Sequence, residues 1–378
     1  MTFNQLDIIQ PILKAIETAG YTQPTEIQER SIPTILKGND IIGCAQTGTG
    51  KTAAFAIPII QLMQQTPKKS KAIRTLVLTP TRELAVQINE NFNLYKGSLR
   101  LSNIAIYGGV RQRGQVTALN RGVDILIATP GRLMDLIEQG YVHLNEVEIL
   151  VLDEADRMLD MGFVNDIKKI LKSIPKNRQT LFFSATMPKK IKSFAETILK
   201  QPQQIIVSPI SSTTESVTQS VYMVENKKKE ELLIEILRGQ KLKRSLVFTR
   251  TKHGADQLMK TLNKLGVKTA AIHGNKSQNA RQNALDDFKN NRITVLIATD
   301  IASRGIDIDE LSFVVNYEMP NVPETYVHRI GRTGRGGNFG EAVSFCSKDE
   351  RSELRDIQKL IGFKLPINPN TSCAFHLS

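Results

Sequence analysis

A chain of 378 residues, 40% apolar and 23% charged, is long enough for two ordinary domains with their own cores and too apolar for a disordered polymer. Its 50 Lys and Arg against 37 Asp and Glu leave a formal charge of +13, which points either to a polyanionic partner or to plain solubility. Residues 1–207 carry 25 basic against 18 acidic side chains and residues 208–378 carry 25 against 19, which excludes a basic tail as the source of the surplus.

The opening Met1-Thr2-Phe3-Asn4-Gln5-Leu6-Asp7 lacks the charged and apolar regions of a secretory signal, and no apolar run further on approaches a membrane span. Short apolar runs then alternate with helical patterns. The first half reads as strands at Ile41–Cys44, Thr75–Thr79, Ile104–Tyr107, Ile125–Thr129, Ile149–Asp153 and Thr180–Ser184. The second reads as strands at Leu246–Thr249, Thr269–His273, Thr294–Thr299, Phe313–Tyr317 and Ala342–Cys346. Near-continuous apolar strands separated by helices predict an α/β chain whose parallel sheets are covered on both faces. Residues 208–216 hold almost nothing apolar and read as a linker, which sets domains at 1–207 and 217–367 and a short frayed tail at 368–378. Lys227-Lys228-Lys229 reads as a solvated helix start. Cys44, Cys346 and Cys373 are too scattered for a disulfide framework or a metal set, which fits a reducing cytoplasm, and Cys44 belongs to a strand core.

Two strand ends carry chemistry. Ala45-Gln46-Thr47-Gly48-Thr49-Gly50-Lys51-Thr52 lies between the strand ending at Cys44 and a helix predicted over Thr52–Met63, which is the context of a nucleotide-binding P-loop. Gly48 and Gly50 free the backbone N–H groups to form an anion nest at the helix N-terminus, where Gln46, Thr47 and Thr49 also stand. Lys51 reaches the β- and γ-phosphates and the Thr52 hydroxyl takes a place on Mg²⁺; Ala45 replaces the usual first Gly. The second strand end, Ile149-Leu150-Val151-Leu152, delivers Asp153-Glu154-Ala155-Asp156. Asp153 is the Mg²⁺ candidate, acting through water, and Glu154 the candidate base for an attacking water. An acidic helix cap would also explain one or two of these carboxylates.

With that P-loop, Asp153-Glu154-Ala155-Asp156 resembles the signature of the DEAD-box RNA helicases, whose motifs occur in order over about 360 of the 378 residues. The resemblance implies two tandem RecA-like domains and an RNA-stimulated ATPase. Gly20-Tyr21-Thr22-Gln23-Pro24-Thr25-Glu26-Ile27-Gln28 resembles the family's Q motif with Phe3 as its upstream aromatic, which implies that Gln28 bonds the adenine edge and Tyr21 stacks on it. Pro80-Thr81-Arg82-Glu83-Leu84-Ala85, Gly108-Gly109 and Thr129-Pro130-Gly131-Arg132 resemble loops that grip RNA phosphates, although each alone is also an ordinary helix cap. Asp156 with Ser184-Ala185-Thr186 resembles the set that couples the two sites, to which His328 is assigned as well. In the second half Arg250, Gln278, Arg281, Thr299 and Asp300 fall on RNA-backbone motifs, while Gly305 and Asp307 fall on nucleotide-facing positions. Arg332 and Arg335, in His328-Arg329-Ile330-Gly331-Arg332-Thr333-Gly334-Arg335, look like arginine fingers for the γ-phosphate.

Leu159-Asp160-Met161-Gly162-Phe163, Phe248-Thr249-Arg250-Thr251-Lys252-His253-Gly254-Ala255 and Ala271-Ile272-His273-Gly274-Asn275-Lys276-Ser277-Gln278 look like the bacterial RhlE-type subgroup. The reading that follows is an ATP- and Mg²⁺-dependent enzyme that separates short RNA duplexes with little sequence preference. The same reading expects a monomeric, cytoplasmic protein with no membrane partner, and ribosome assembly and RNA decay would both use such a core. An ATP-gated RNA clamp would carry identical motifs, and a DNA helicase would share the P-loop and the arginine turn.

Overall fold

Thirteen strands form among the described residues, and each of the two sheets they build is parallel throughout. The computed structural model describes residues 1–45, 48–66, 72–207, 217–239, 244–300, 311–334 and 340–368. The chain divides into two compact units, Met1–Ser208 and Pro209–Ser378. The linker expected at residues 208–216 lies outside the described residues.

The first unit contains β1 (Ile41–Cys44), β2 (Thr75–Leu78), β3 (Asn103–Ile106), β4 (Ile125–Ala128), β5 (Ile149–Leu152), β6 (Gln179–Ser184) and β7 (Gln203–Ile206) in the order β3-β4-β2-β5-β6-β1-β7. Because successive side chains of a strand point to opposite faces, each apolar run feeds two cores. Val77, Ile127, Val151 and Phe183 pack under α1 (Gln10–Thr18), α2 (Glu26–Leu36), α3 (Lys51–Gln65) and α4 (Arg82–Lys96). Leu76, Leu78, Leu126, Leu150 and Phe182 pack on the other face under α6 (Pro130–Glu138), α7 (Ala155–Asp160), α8 (Val164–Lys172) and α9 (Lys189–Glu196). A further helix, α5 (Arg113–Arg121), links β3 to β4.

The second unit contains β8 (Val217–Met223), β9 (Ser245–Thr249), β10 (Thr269–Ile272), β11 (Val295–Thr299), β12 (Phe313–Asn316) and β13 (Gly340–Cys346) in the order β10-β11-β9-β12-β13-β8. Its helices are α10 (Lys229–Gly239), α11 (Lys252–Lys264), α12 (Gln278–Lys289), α13 (Pro323–Ile330) and α14 (Arg351–Ile361). Val247, Ile297 and Val315 pack with α10 and α11, whereas Leu246, Leu296 and Val314 pack with α12, α13 and α14.

Four expectations are corrected. The strands β7 and β8, absent from the apolar-run reading, lie at sheet edges: β7 opens on Gln203-Gln204 and exposes three of its four residues, and β8 alternates buried with less buried positions. Lys229, expected in solvent, is 2% exposed and ion-paired to Glu350 at 2.5 Å, while Lys227 and Lys228 are exposed. Cys44 is half-buried, not core. The tail expected to fray from Asn368 is held at that first residue, the rest lying outside the described residues: Ile367 bridges to Val221, and Asn368 donates from its N–H to the Val221 carbonyl at 2.9 Å and from Nδ2 to Tyr222 Oη at 2.8 Å.

Candidate functional site

Strand order gathers the chemistry of the first unit at one sheet edge. Because β5, β6 and β1 are neighbours, the loops at their carboxyl ends, carrying Asp153-Glu154, Ser184–Thr186 and Gly48–Lys51, lie side by side. The helix after β1 begins at Lys51, whose N-cap Gly50 has φ +90°. A Cβ on Gly50 would stand 2.2 Å from Gln28 Nε2, so both the backbone and the close approach require glycine. Gln28 donates from Nε2 to the Gly50 carbonyl at 3.2 Å and accepts from the Thr25 N–H at 3.0 Å; the Thr25 hydroxyl donates to the Thr49 carbonyl at 2.8 Å. The Q motif therefore holds the phosphate loop. Gln28 keeps one amide hydrogen and one lone pair beyond these bonds, so base contact and loop support are compatible.

Lys51 is 7% exposed, and its ammonium donates to the Ala45 carbonyl. Thr52 is half-buried one residue into α3. Asp153 is 3% exposed, and burial pushes its carboxyl up to about 7, with Lys51 pulling it down and Glu154 adding to the rise. The Asp153 carboxylate accepts from the Glu154 N–H at 3.0 Å. Glu154 sits in left-handed backbone, φ 50°, and its side chain lies against the Arg157 guanidinium in a buried ion pair. The carboxylates of Asp153 and Glu154 thus serve different neighbours. Asp156 accepts from the Thr186 N–H and hydroxyl, both at 2.9 Å, and the Ser184 hydroxyl donates to the Thr186 carbonyl at 2.6 Å. This bridge ties the start of α7 to the loop after β6.

Buried Phe3 and exposed Tyr21 line a cavity of about 770 Å³ beside the N-terminal residues. Gln46 and Thr47 lie outside the described residues.

The neighbours β3, β4 and β2 form the other part of this edge. Thr81 caps α4, accepting from the Leu84 N–H at 3.4 Å, and Thr129 stands at the N-cap of α6 with exposed Gly131 two residues on. Arg82 packs on Gly108 and Gly109; a Cβ on Gly109 would meet its Nη1 at 2.0 Å, and Gly109 has φ +79°. Arg132 donates to Gln115 Oε1 at 3.2 Å and to the Val110 carbonyl at 3.3 Å, so it braces the loop after β3. Gln115 was not singled out in the sequence; no motif marks it.

In the second unit β10, β11 and β9 are neighbours. Arg250, after β9, donates to the Met319 carbonyl at 2.9 Å and to Glu350 Oε1 at 3.3 Å. Gln278 and Arg281 are half-buried in the first turn of α12. Thr299 closes β11, buried. Asp300, expected to face RNA, is turned inward to Arg329 through two bonds of 2.6 and 2.8 Å. Arg329 is 1% exposed, reaches Asn316 Oδ1 at 3.1 Å and the Glu318 carbonyl at 2.7 Å, and lies 5.0 Å over the Phe248 ring. A planar fork that satisfies a carboxylate and two carbonyl oxygens at once organises the ends of β9, β11 and β12 together. His328 is half-buried on α13, and Arg332 is 5% exposed just beyond it. The Thr333 hydroxyl donates to the Leu311 carbonyl, and a Cβ on Gly340 would stand 2.1 Å from Thr333 Oγ1. Gly305, Asp307 and Arg335 lie outside the described residues.

Residues 25–194 match the DEAD/DEAH box helicase family and residues 228–337 the helicase conserved C-terminal domain. DEAD-box ATP-dependent RNA helicase RhpA of Helicobacter pylori is 42% identical over 98% of this chain and 75% of its own length. The chain belongs to the DEAD-box ATP-dependent RNA helicases. DEAD-box helicase CshA of Geobacillus kaustophilus is likewise 42% identical, over 95% of this chain and 76% of its own. The solved structure of Dbp5 of S. cerevisiae bound to RNA and ADP BeF3 is similar at 30% identity with a TM-score of 0.87, covering 97% of this chain and 95% of that one. Both units of this helicase are accordingly RecA-like, and its enzymatic class is RNA-dependent ATP hydrolysis. No helix among the described residues is long and apolar enough to cross a membrane.

Proposed function

We propose that this helicase hydrolyses ATP at the β1–β5–β6 strand ends and separates short RNA duplexes by gripping one strand at its backbone. The lacing of Thr25 and Gln28 onto Thr49 and Gly50 carries the reading, because it ties recognition of a base to the loop that holds phosphates. Lys51 is the buried cation of that loop, bound in this structure to a carbonyl it exchanges for phosphate oxygens. Glu154, steered by Arg157, holds and deprotonates the attacking water. Asp156 and Thr186 transmit the state of the nucleotide loop to the neighbouring strand end. Arg332 and Arg335 stabilise the charge that develops on the transferred phosphoryl group.

The donor set fits Mg²⁺. Asp153 is a buried carboxylate whose charged form is penalised by burial, and Thr52 offers a hydroxyl at the same loop. Two oxygen donors completed by phosphates and water suit this ion, which seldom takes an all-protein cage. Bound there, Mg²⁺ supplies charge neutralisation at the β- and γ-phosphate oxygens.

Thr81, Arg82, Gly108, Gly109, Thr129, Gly131 and Arg132 form the RNA-backbone surface of the first unit, and Arg250, Gln278, Arg281 and Thr299 that of the second. Helix starts and hydroxyls at neighbouring strand ends suit a phosphate chain and read no bases, which predicts weak sequence preference. Arg82 and Arg132 position these loops as well as facing the strand. Within the family, the three stretches beginning at Leu159, Phe248 and Ala271 support placement in the RhlE-type subgroup. A monomeric enzyme of the bacterial cytoplasm, working in ribosome assembly or RNA decay, is consistent with this reading.

Steady-state ATP hydrolysis measured without nucleic acid, with single-stranded RNA and with matched single-stranded DNA tests it. Strong stimulation by RNA alone is expected; equal stimulation by DNA would make it a general helicase, and none by either would remove the proposed gating.

A further inference from the structure

The charge of the N-terminal unit is not spread over it. Residues 164–200 contain nine Lys and Arg but only Asp166 and Glu196 as acids, a surplus of seven. The remainder of residues 1–207 holds 16 basic and 16 acidic side chains, so this stretch accounts for the whole excess. It folds as α8, β6 and α9. Ile167 and Ile170 of α8 and Ile191 and Phe194 of α9 enter one core layer, which sets both helices on the same face of the sheet. Helical spacing then sends the lysines outward: Lys168, Lys169 and Lys172 on α8, Lys176 just past it, and Lys189, Lys190 and Lys192 on α9 are all exposed.

These ammonium groups differ from the ion-paired arginines of the unit. Arg30, Arg74, Arg132 and Arg157 each face a carboxylate, whereas among the described residues none of the seven lysines is in an ion pair. Like charges gathered on one face without counter-charges repel one another and favour a polyanion. A protein partner needs apolar or aromatic anchors at the centre of its interface. Among the described residues, no large exposed apolar side chain falls within residues 164–200. A phosphate backbone, which needs only spaced cations, fits the face better. The face also lies apart from the backbone-gripping loops. Those loops follow β3, β4 and β2, at one end of the sheet order, whereas α8 and α9 cover the connections from β5 through β6 to β7, toward the other end.

We infer that the α8–α9 face is a second RNA-backbone surface, which holds a segment of RNA running beyond the strand bound at the strand-end loops. The inference rests on RNA being the substrate. It gives the core a tether of its own for long or structured RNA, with no sequence preference.

The test replaces Lys168, Lys169, Lys172 and Lys176 together by Gln, exposed positions to which no catalytic, nucleotide-loop or strand-gripping role is given. Binding is measured by fluorescence anisotropy on oligoribonucleotides of about ten and about forty residues, lengths respectively within and beyond one single-strand site. If the four contacts are real, the salt slope on the long RNA flattens by about 3, so between about 50 and 200 mM salt the unaltered protein loses about fifty-fold more affinity than the variant. Binding of the short RNA and the ATP hydrolysis it stimulates stay unchanged, and the matching set of four Arg replacements retains long-RNA binding. An unchanged slope and affinity on the long RNA overturns the proposal. So does a loss shared equally by the short RNA, which would mark a damaged fold or the main site, and so does failure of the Arg set. Absence of RNA stimulation in the unaltered protein removes instead the functional reading beneath it.

Discussion

Replacing Glu350 by Gln removes one charge from the most deeply buried ion pair among the described residues of the second unit and keeps the side-chain shape. The Glu350 carboxylate accepts from Lys229 Nζ at 2.5 Å, from the N–H groups of Ser347 and Met319 at 3.0 and 3.1 Å, and from Arg250 Nη2 at 3.3 Å. Lys229 and Glu350 are 2% and 5% exposed. Two unit charges 2.5 Å apart attract by roughly 7 kcal/mol at an effective dielectric near 20. The variant regains the desolvation of one ion but leaves an ammonium buried without its counter-charge, for a net loss of about 3–5 kcal/mol. That is a large part of the ~5–15 kcal/mol that holds an ordinary domain. Hydrogen exchange in the full chain, read at the amides of β8 and β13, reports the stability of this unit directly. The pH dependence has a definite sign. Burial works against the Glu350 carboxylate, but Lys229 and the backbone donors outweigh it and hold the group below its ordinary value of 4.5. A depressed carboxyl contributes stability that is present above its unfolded value and lost as pH falls through the folded one. The unaltered protein therefore weakens below about pH 4.5 while the Gln variant does not titrate there, and the gap between them narrows in acid. A loss under about 1 kcal/mol at neutral pH, the scale of an exposed pair, would refute the argument. Adding Lys229→Met to Glu350→Gln should recover much of the loss, since it removes the orphan ammonium while the Gln amide oxygen still accepts from the Ser347 and Met319 N–H groups.

Three further outcomes follow from the first and second units. Glu154→Gln should bind ATP and RNA yet turn over about 10²–10⁴ times more slowly, the usual contribution of a positioned base, and near-normal steady-state turnover would remove Glu154 from that role. Gly50→Ala must hold left-handed backbone at a cost of about 1–2 kcal/mol and displace Gln28, so nucleotide affinity by calorimetry should fall at least about five-fold. Adding Gln28→Ala should relieve the collision without restoring affinity, and affinity within twofold of the parent in the single variant would contradict the geometry. Cys346 is fully buried, and burial, with Glu350 beside it, pushes its thiol up to about 12. Only about one thiolate in ten thousand is then present at pH 8, so iodoacetamide should leave Cys346 unmodified in the native chain and label it after denaturation. Rapid native labelling in peptide maps would place the thiol in a different environment.

The parts of this protein legible in its sequence are those whose signal is local. Strands buried on both faces, such as Leu76–Leu78 and Ile149–Leu152, read as apolar runs because nothing along them meets water. The P-loop could be placed because Gly48 and Gly50 announce positive φ before a helix, and Asp153 because it ends a buried strand. Gln203–Ile206 escaped because it is four residues long, half glutamine and mostly exposed, and Val217–Met223 because an edge strand alternates, and both patterns look like many loops.

What remained hidden shares one physical cause. The groups that sequence reading sent to solvent or to RNA, namely Lys229, Asp300 and in part Arg250, are charges whose counter-charges arrive from elsewhere in the chain: Glu350 for Lys229 and Arg250, and Arg329 for Asp300. A run such as Lys227-Lys228-Lys229 offers no clue to which member turns inward, because that depends on where helix α10 starts against the turn before α14. Burial without a partner would cost several kcal/mol per ion, so each inward charge fixes a contact between distant segments. Arg329 does this most fully, holding Asp300 after β11 and Asn316 and Glu318 at the end of β12 in one plane over Phe248. The motif around His328 therefore has a structural member in Arg329. Arg329 fixes the strand ends of its own unit, and the role proposed for Arg332, three residues on, depends on that frame.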